Sequence, residues 1–522
     1  ALSTSWRVHG VAMERVARKD TESSAINDAR GSSVKFLREE SSIHSGESPG
    51  TASLSSCVIN LAHSALGAGL LGLPRAMKLA GYVNALIILT ATALLATTTG
   101  YFLSMAIERT GPGASFRTIC NTALPNLAIL ADLSVCLTCL TGTVAFVVIS
   151  SATLQEAIAP EIGRWPWVLL TFIVVTPFSF LRSMDSLRFT SMAGLVMLLY
   201  TALLVCLFSC GIGGMLDPFG PGGRIAQTGS VTAFAPALSS LQALSSVATA
   251  FTCHFNIPGI QAEMCRPTRH RIMLWYSSAF GLSYGLYLIV ALCGYFTFGD
   301  AVTDNVLLMY PNNGFTLIAK VGMSFAVITS FPLVAFGFRL SAATIVLELQ
   351  RYCHKPSEDG ATEAESSFSR EPETLRASAL HNSTVAVTQH DIMTRLSSAQ
   401  SSKSIIDEET LKTAEDGDQS RSCLSRWFVT DRVEYSSVSA LILVSFAIGL
   451  ATDDLGLVLD VGGALGSVCI SFIVPALVYA CMFTPAKAPV EPSLLYLLAV
   501  VIVPYGVIVL VTSLVLTFTN MN

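Results

Sequence analysis

Eleven stretches of this sequence are almost wholly apolar and long: roughly 55–77, 82–107, 126–157, 165–181, 190–213, 238–262, 273–298, 315–347, 436–452, 455–482 and 493–518. An α-helix rises ~1.5 Å per residue, so about 20 apolar residues cover the ~30 Å of hydrocarbon in a bilayer. Each stretch is therefore expected to be a membrane-crossing helix. The fourth and ninth are short, and only Asp453-Asp454 parts the ninth from the tenth, so ten or twelve crossings also fit. The pattern predicts an all-α polytopic membrane protein with about 11 transmembrane helices. It divides the chain into a disordered N-terminal tail (1–50), helices 1–8 (51–352), a disordered loop (353–432) and helices 9–11 (433–522). The tail and loop are rich in Ser, Thr and charge and poor in aromatics, which leaves them too little apolar surface to fold.

Composition sharpens this. Hydrophobic residues are 52% of the chain and charged residues 13%, where a soluble protein carries about 25% charged. Of the 67 charges, 39 fall within residues 1–50 and 351–434. The rest of the chain cannot coat a globule with charge and needs a bilayer as its solvent. A soluble enzyme, a nucleic-acid binder and a fibrous protein are excluded. Thirteen Cys are present, mostly inside apolar runs, without disulfide or metal-ligand spacing. No signal-peptide pattern opens the chain, so the first hydrophobic span is expected to serve as the insertion signal.

Lys and Arg set the orientation. They cluster in the tail, in the 353–432 loop and at Arg109, Arg117, Arg182, Arg188, Arg266, Arg269 and Arg271. These all fall on one side if the N-terminus is cytoplasmic and the C-terminus is outside or lumenal. Asn382-Ser383-Thr384 then lies in the cytoplasm, so a glycan there would overturn the orientation.

Two spans carry helix breakers. The first holds Gly67-Ala68-Gly69, Gly72 and Pro74; the sixth is expected to break at Pro258-Gly259, with the polar run Thr252-Cys253-His254-Phe255-Asn256 just before. Gly lowers helix preference and Pro lacks a donor. Backbone freed at membrane depth is tolerated where it lines a cavity or is buried in protein. Interrupted helices one and six, in matching positions of two five-helix halves, point to a transporter with inverted repeats. Half-helix N-termini suit a carboxylate and unwound carbonyls suit an amine or a metal cation. An amino acid carries both kinds of group. Gly-mediated helix packing is the alternative reading.

Three stretches then resemble the amino acid/auxin permease family, in particular its sodium-coupled neutral amino acid transporter branch. They are Asn60 to Pro74 with Ala80-Gly81-Tyr82; Thr252-Cys253-His254 through Pro258, Glu263 and Pro267, with Arg269-His270-Arg271 and Gly294 to Gly299; and Thr329-Ser330-Phe331-Pro332 with Arg339. The resemblance implies the leucine-transporter-like 5+5 inverted repeat, with helices 1 and 6 broken. It implies a substrate site at Gly67, Ala68, Gly69, Leu70, Thr252, Cys253, His254 and Phe255. It also implies a cation site where helix one meets helix eight, at His63, Ser64, Thr329 and Ser330. Sodium-coupled members have Asn where this chain has His63. A neutral imidazole is a poor sodium ligand, but with an ordinary pKa of about 6.5 it takes up a proton readily. A proton is therefore favoured over sodium as coupling ion. A His that only hydrogen-bonds a neighbouring helix is the bland alternative.

Other ionisable groups within spans are candidates by default. Asp132 is expected to hold a structural partner, Glu263 a helix-end pairing, and His254 either to touch substrate or to orient the break. Lys320 and Arg339 are expected to snorkel, and Asp453, Asp454 and Asp460 to sit in a solvated outer turn. Phe251, Phe255 and Tyr200 are candidates to shape a side-chain pocket. No phosphate loop, zincin motif or Cys/His metal spacing appears, so no enzyme, cofactor or ATP-driven pump is expected. The reading is secondary active amino acid transport, with a substrate that is more consistent with a neutral side chain. An uncoupled amino acid exchanger and a membrane amino acid sensor are the alternatives. Plasma membrane and an acidic vacuole or lysosome fit equally.

Overall fold

In the computed structural model, the described residues are 50–520 without 112, 181–186, 212–216, 221–226, 354–416 and 486–492. The tail 1–49, Arg182, Asn382 and most of the 353–432 loop lie outside them. Among the described residues the fold is all-helical, and the single β-bridge, Ala52 with Met264, belongs to no strand.

The helices are α1 (Leu54–Ala65), α2 (Gly69–Ala80), α3 (Tyr82–Thr110), α4 (Phe116–Ala123), α5 (Ala128–Ile158), α6 (Trp165–Ser179), α7 (Arg188–Ser209), α8 (Ala237–Ala250), α9 (Ile257–Glu263), α10 (Arg269–Phe298), α11 (Gly314–Cys353), α12 (Gly417–Ala451), α13 (Leu455–Gly462), α14 (Val474–Met482) and α15 (Ser493–Asn520). Among the described residues, eight helices are long and apolar enough to cross a membrane, and nine crossings result when the bent pair α1–α2 counts as one. The span Leu455–Met482 runs from α13 to α14 through two π-helical stretches, Gly463–Ser467 and Cys469–Ile473. Such bulges recur at functional sites.

Burial sorts the helices. The most apolar window of α11 is 72% buried and that of α5 is 67%, whereas that of α15 is 22% buried with a mean hydropathy of 2.8. The first two form the centre and the last faces lipid, where burial has no aqueous alternative to favour it. The bundle has two ends. At the base, where α1 begins and α9 ends, Ala52 N–H donates to Glu263 O and Cys265 N–H to Ala52 O. At the top, Tyr82 N–H donates to Thr232 O and Ala235 N–H to Ala80 O.

Two features depart from the sequence reading. The sixth span unwinds over Phe251–Asn256, ahead of Pro258. Pro258 instead lies in the first turn of α9, where its missing N–H has no intrahelical partner to lose. Likewise Pro74 sits inside α2 and the chain breaks earlier, at Leu66–Ala68, with a bend of 51°. The ninth apolar span, α12, begins at Gly417, inside the segment expected to be disordered. Residues 418–448 contain neither Gly nor Pro, so the helix seeded in the apolar part extends at little cost per residue.

Candidate functional site

The two breaks meet at mid-bundle. The first is crossed closely by α8: a Cβ at Gly69 would stand 2.5 Å from Ala250 Cβ and 2.6 Å from its Cα. The C-terminal ends of α1 and α8 are clamped together by one side chain that the sequence reading missed. Tyr287 on α10 offers its hydroxyl to Ala65 O at 2.6 Å and to Ala250 O at 2.5 Å. Those carbonyls lack helical donors because the helices end there, and a fully buried phenol supplies the need. Asn256 Nδ2 donates to Ser64 Oγ at 2.6 Å, tying the second break to the first.

Between the breaks lies a cavity of about 50 Å3. Of the residues predicted for substrate, it gathers Gly67, Ala68, Gly69, Thr252 and Phe255, with Ser64 from the predicted ion set. α5 contributes Thr138, Thr141, Gly142 and Phe146, and the π-helical stretch contributes Ser467. Its lining carries no charged side chain. Thr252 Oγ1 donates to Ala248 O at 2.7 Å and accepts from Ser471 Oγ at 3.1 Å.

Leu70, Cys253 and His254 are fully buried outside that lining. For Leu70 the reason is helical phase: it is the second residue of α2 and points into the core. His254 Nε2 shares hydrogen bonds with Ala96 O and Thr99 Oγ1, both at 3.1 Å. A carbonyl can only accept, so Nε2 carries the proton and donates. His254 thus fastens the break to α3 and does not face the cavity.

The predicted ion residues form a separate cluster. His63 Nε2 and Ser330 Oγ lie 3.2 Å apart, and Ser330 also donates to Ala326 O at 3.0 Å. With its one hydrogen on that carbonyl, the Ser330 hydroxyl accepts from His63 Nε2–H, so Nδ1 holds the ring's lone pair. Nδ1 has no hydrogen-bond partner among the described residues. Thr329 Oγ1 bonds back to Phe325 O and Ala326 O. α7 closes this cluster through Gly194, where a Cβ would stand 2.3 Å from His63 Nε2 and 2.9 Å from Thr329 Oγ1. Gly194 carried no local signal, since the constraint comes from two other helices.

Above the cavity, Arg75 Nε contacts Asp304 Oδ1 at 2.8 Å and its NH2 contacts Asp460 Oδ2 at 3.1 Å. Asp460 also accepts from Gln242 Nε2 at 3.2 Å and from Ser246 Oγ. Asp460 is 3% exposed, which corrects its expected place in a solvated turn: α13 starts at Leu455 and carries it into the bundle. The outer carboxylate Asp304 is pushed up by burial, against the lowering pull of Arg75. Lys320 does not snorkel either; it is fully buried and donates to Asn312 Oδ1 at 2.5 Å. Arg339 is buried beside Glu434 at 3.8 Å. Asp132 has the structural partner expected of it, Arg117, at 2.5 Å.

Comparisons with known proteins place this geometry in a family. The profile of a family described as "Transmembrane amino acid transporter protein" matches residues 50–519. Vacuolar amino acid transporter 6 of Saccharomyces cerevisiae is 26% identical over 89% of this chain and 98% of its own length. Vacuolar amino acid transporter 5 of Schizosaccharomyces pombe is 31% identical over 54% of this chain and 67% of its own. Sodium-coupled neutral amino acid transporter 7 of Homo sapiens is 23% identical over 55% of this chain and 63% of its own.

Proposed function

Because this chain belongs to the family of transmembrane amino acid transporter proteins, we propose that it is a secondary active transporter that binds an amino acid between its two broken helices and moves it by alternating access. The observation that carries this reading is the cavity at the meeting of the breaks. The first N–H groups of α2 have no intrahelical partner and sit at the positive end of the helix, which suits a carboxylate. The unwound carbonyls and the hydroxyls of Ser64 and Thr252 suit an ammonium group. A lining without charged side chains favours a neutral substrate.

The eleven helical segments read as eleven crossings when the short α6 and the interrupted α8–α9 are each counted. The leucine-transporter-like repeat then places α1–α2 and α8–α9 as its two broken members. The base is cytoplasmic in this reading, and the C-terminus is outside or lumenal. Proton coupling through His63 is favoured over sodium, because the imidazole has a free lone pair on Nδ1 and offers nitrogen where sodium needs oxygen. The vacuolar names of two relatives fit a compartment whose proton gradient would drive such a step.

Counterflow tests the function. Proteoliposomes loaded with unlabelled neutral amino acids are expected to accumulate labelled alanine, serine, glutamine or leucine. Binding without counterflow for any of them would favour a sensor instead.

The Arg75–Asp304–Asp460 cluster closes the top of the cavity in this reading. Arg75 lies six residues beyond Gly69 on α2, about 9 Å further along the helix. Asp460 directly follows the cavity residue Leu459. Removing one partner of a buried ion pair leaves the other charge uncompensated. Asp460→Asn is therefore expected to open the top, raising the reaction rate of Thr249→Cys with a membrane-impermeant maleimide by ~10-fold. An unchanged rate would show that this cluster does not gate the cavity.

A further inference from the structure

A second, smaller cavity of about 20 Å3 lies on the base side of the first. Phe255 is the single residue that lines both. Its ring packs on α11 at Gly337, where a Cβ would stand 2.5 Å from it. The two cavities thus adjoin at one aromatic side chain on an unwound segment.

Their linings differ in chemistry. The lower one contains Arg117 and Asp132. Asp132 is fully buried, with Arg117, Thr344 and Ser341 as hydrogen-bonding neighbours, yet its two oxygens are served unequally. Oδ2 accepts from Arg117 NH1 at 2.5 Å and from Thr344 Oγ1 at 3.1 Å. Oδ1 accepts none among the described residues. Arg117 is shared between two carboxylates, the second being Glu348 Oε1 at 3.0 Å. A purely structural ion pair gains by satisfying both oxygens, since an unmet buried acceptor is costly. The bare oxygen is the place for an added donor.

We propose that this lower cavity is a second, transient binding site for the zwitterionic head of the substrate on its way to the base of the bundle. Asp132 takes the ammonium and Arg117 the carboxylate. The placement of the charges favours this ligand class. A lone anion at Arg117 would face the carboxylates of Asp132 and Glu348, and a lone cation at Asp132 would displace the guanidinium and leave Arg117 to Glu348 alone. A zwitterion inserts into the Arg117–Asp132 pair without changing the net charge, and each of its ends meets an opposite one. At about 20 Å3 the cavity is too small for an amino acid. The site forms as Phe255 turns away and the two cavities join. The proposal rests on the transport reading above.

The test uses the full chain in vesicles of defined orientation, with whichever of labelled alanine, serine, glutamine and leucine the wild type exchanges fastest. KM is measured separately for substrate supplied at the base and at the top. Asp132→Asn is expected to raise the base-side KM at least tenfold and to leave the top-side KM within twofold. Arg117→Lys keeps the charge but loses the two-pronged geometry, and is expected to show the same sidedness; it also serves if Asp132→Asn does not fold. Glu108→Gln breaks the surface pair with Arg269, outside the cavity lining, and is expected to leave both KM values within twofold. Equal shifts on both sides, or no shift with Asp132→Asn and Arg117→Lys, would overturn the proposal. Absence of exchange by the wild type from either side would instead overturn the transport reading, a separate outcome.

Discussion

Gly69→Ala is expected to lower amino acid uptake by roughly 10- to 100-fold at equal abundance in the membrane. The added methyl would stand 2.5 Å from Ala250 Cβ and 2.6 Å from its Cα. No side-chain rotation relieves contact with a Cα, so α2 and α8 must part. Overpacking a close contact costs about 1–3 kcal/mol, enough to shift the populations of a two-state cycle by that factor. The separation would also pull Ala65 O and Ala250 O away from the one Tyr287 hydroxyl that serves both. Gly142→Ala is the matched control. Gly142 lines the same cavity, but a Cβ there meets nothing within 4 Å, so uptake is expected to stay within about twofold. Uptake by reconstituted protein measures both. Equal losses would mean that the crossing of the broken helices has no special role.

His63→Asn is expected to abolish uphill accumulation driven by a proton gradient, by at least about tenfold, while counterflow persists. The imidazole is fully buried against Ser330, with Nδ1 unpartnered among the described residues. Asn keeps a polar group there but cannot exchange a proton near neutrality. His63→Gln separates coupling from packing, because its longer amide reaches toward Ser330 as Nε2 does. Both variants are expected to lose the pH dependence of uptake. If both retain it, His63 is a structural partner only.

Much of this architecture was legible in the sequence, because a bilayer imposes simple rules. Twenty apolar residues have few alternatives to a helix, so each of the eleven apolar runs corresponds to a helix or an interrupted helix. The first break was marked by Gly67 and Gly69, where the lack of a Cβ admits Phe146 and α8. The second was placed too late: Pro258 is a loud signal, but proline is well suited to the first turn of a helix. What the sequence left hidden is tertiary. Tyr287 reads as one aromatic among 13 tyrosines, and only the meeting of two helix ends explains its hydroxyl. Asp460 reads as part of a polar turn until α13 carries it to Arg75, 385 positions away in the chain. Gly194 has no local motif, since His63 and Thr329 together exclude its side chain. Among the predicted site residues, those at the first break gathered well because they are consecutive. His254 and Cys253 turned away because a 3-10 turn sets their directions.

The most direct measurement is uptake of a labelled neutral amino acid into proteoliposomes, first under an inward proton gradient and then under an inward sodium gradient. The account predicts accumulation above equilibrium with protons, none with sodium alone, and loss of the proton-driven component in His63→Asn. Accumulation driven by sodium, or proton-driven accumulation unaffected by His63→Asn, would contradict it.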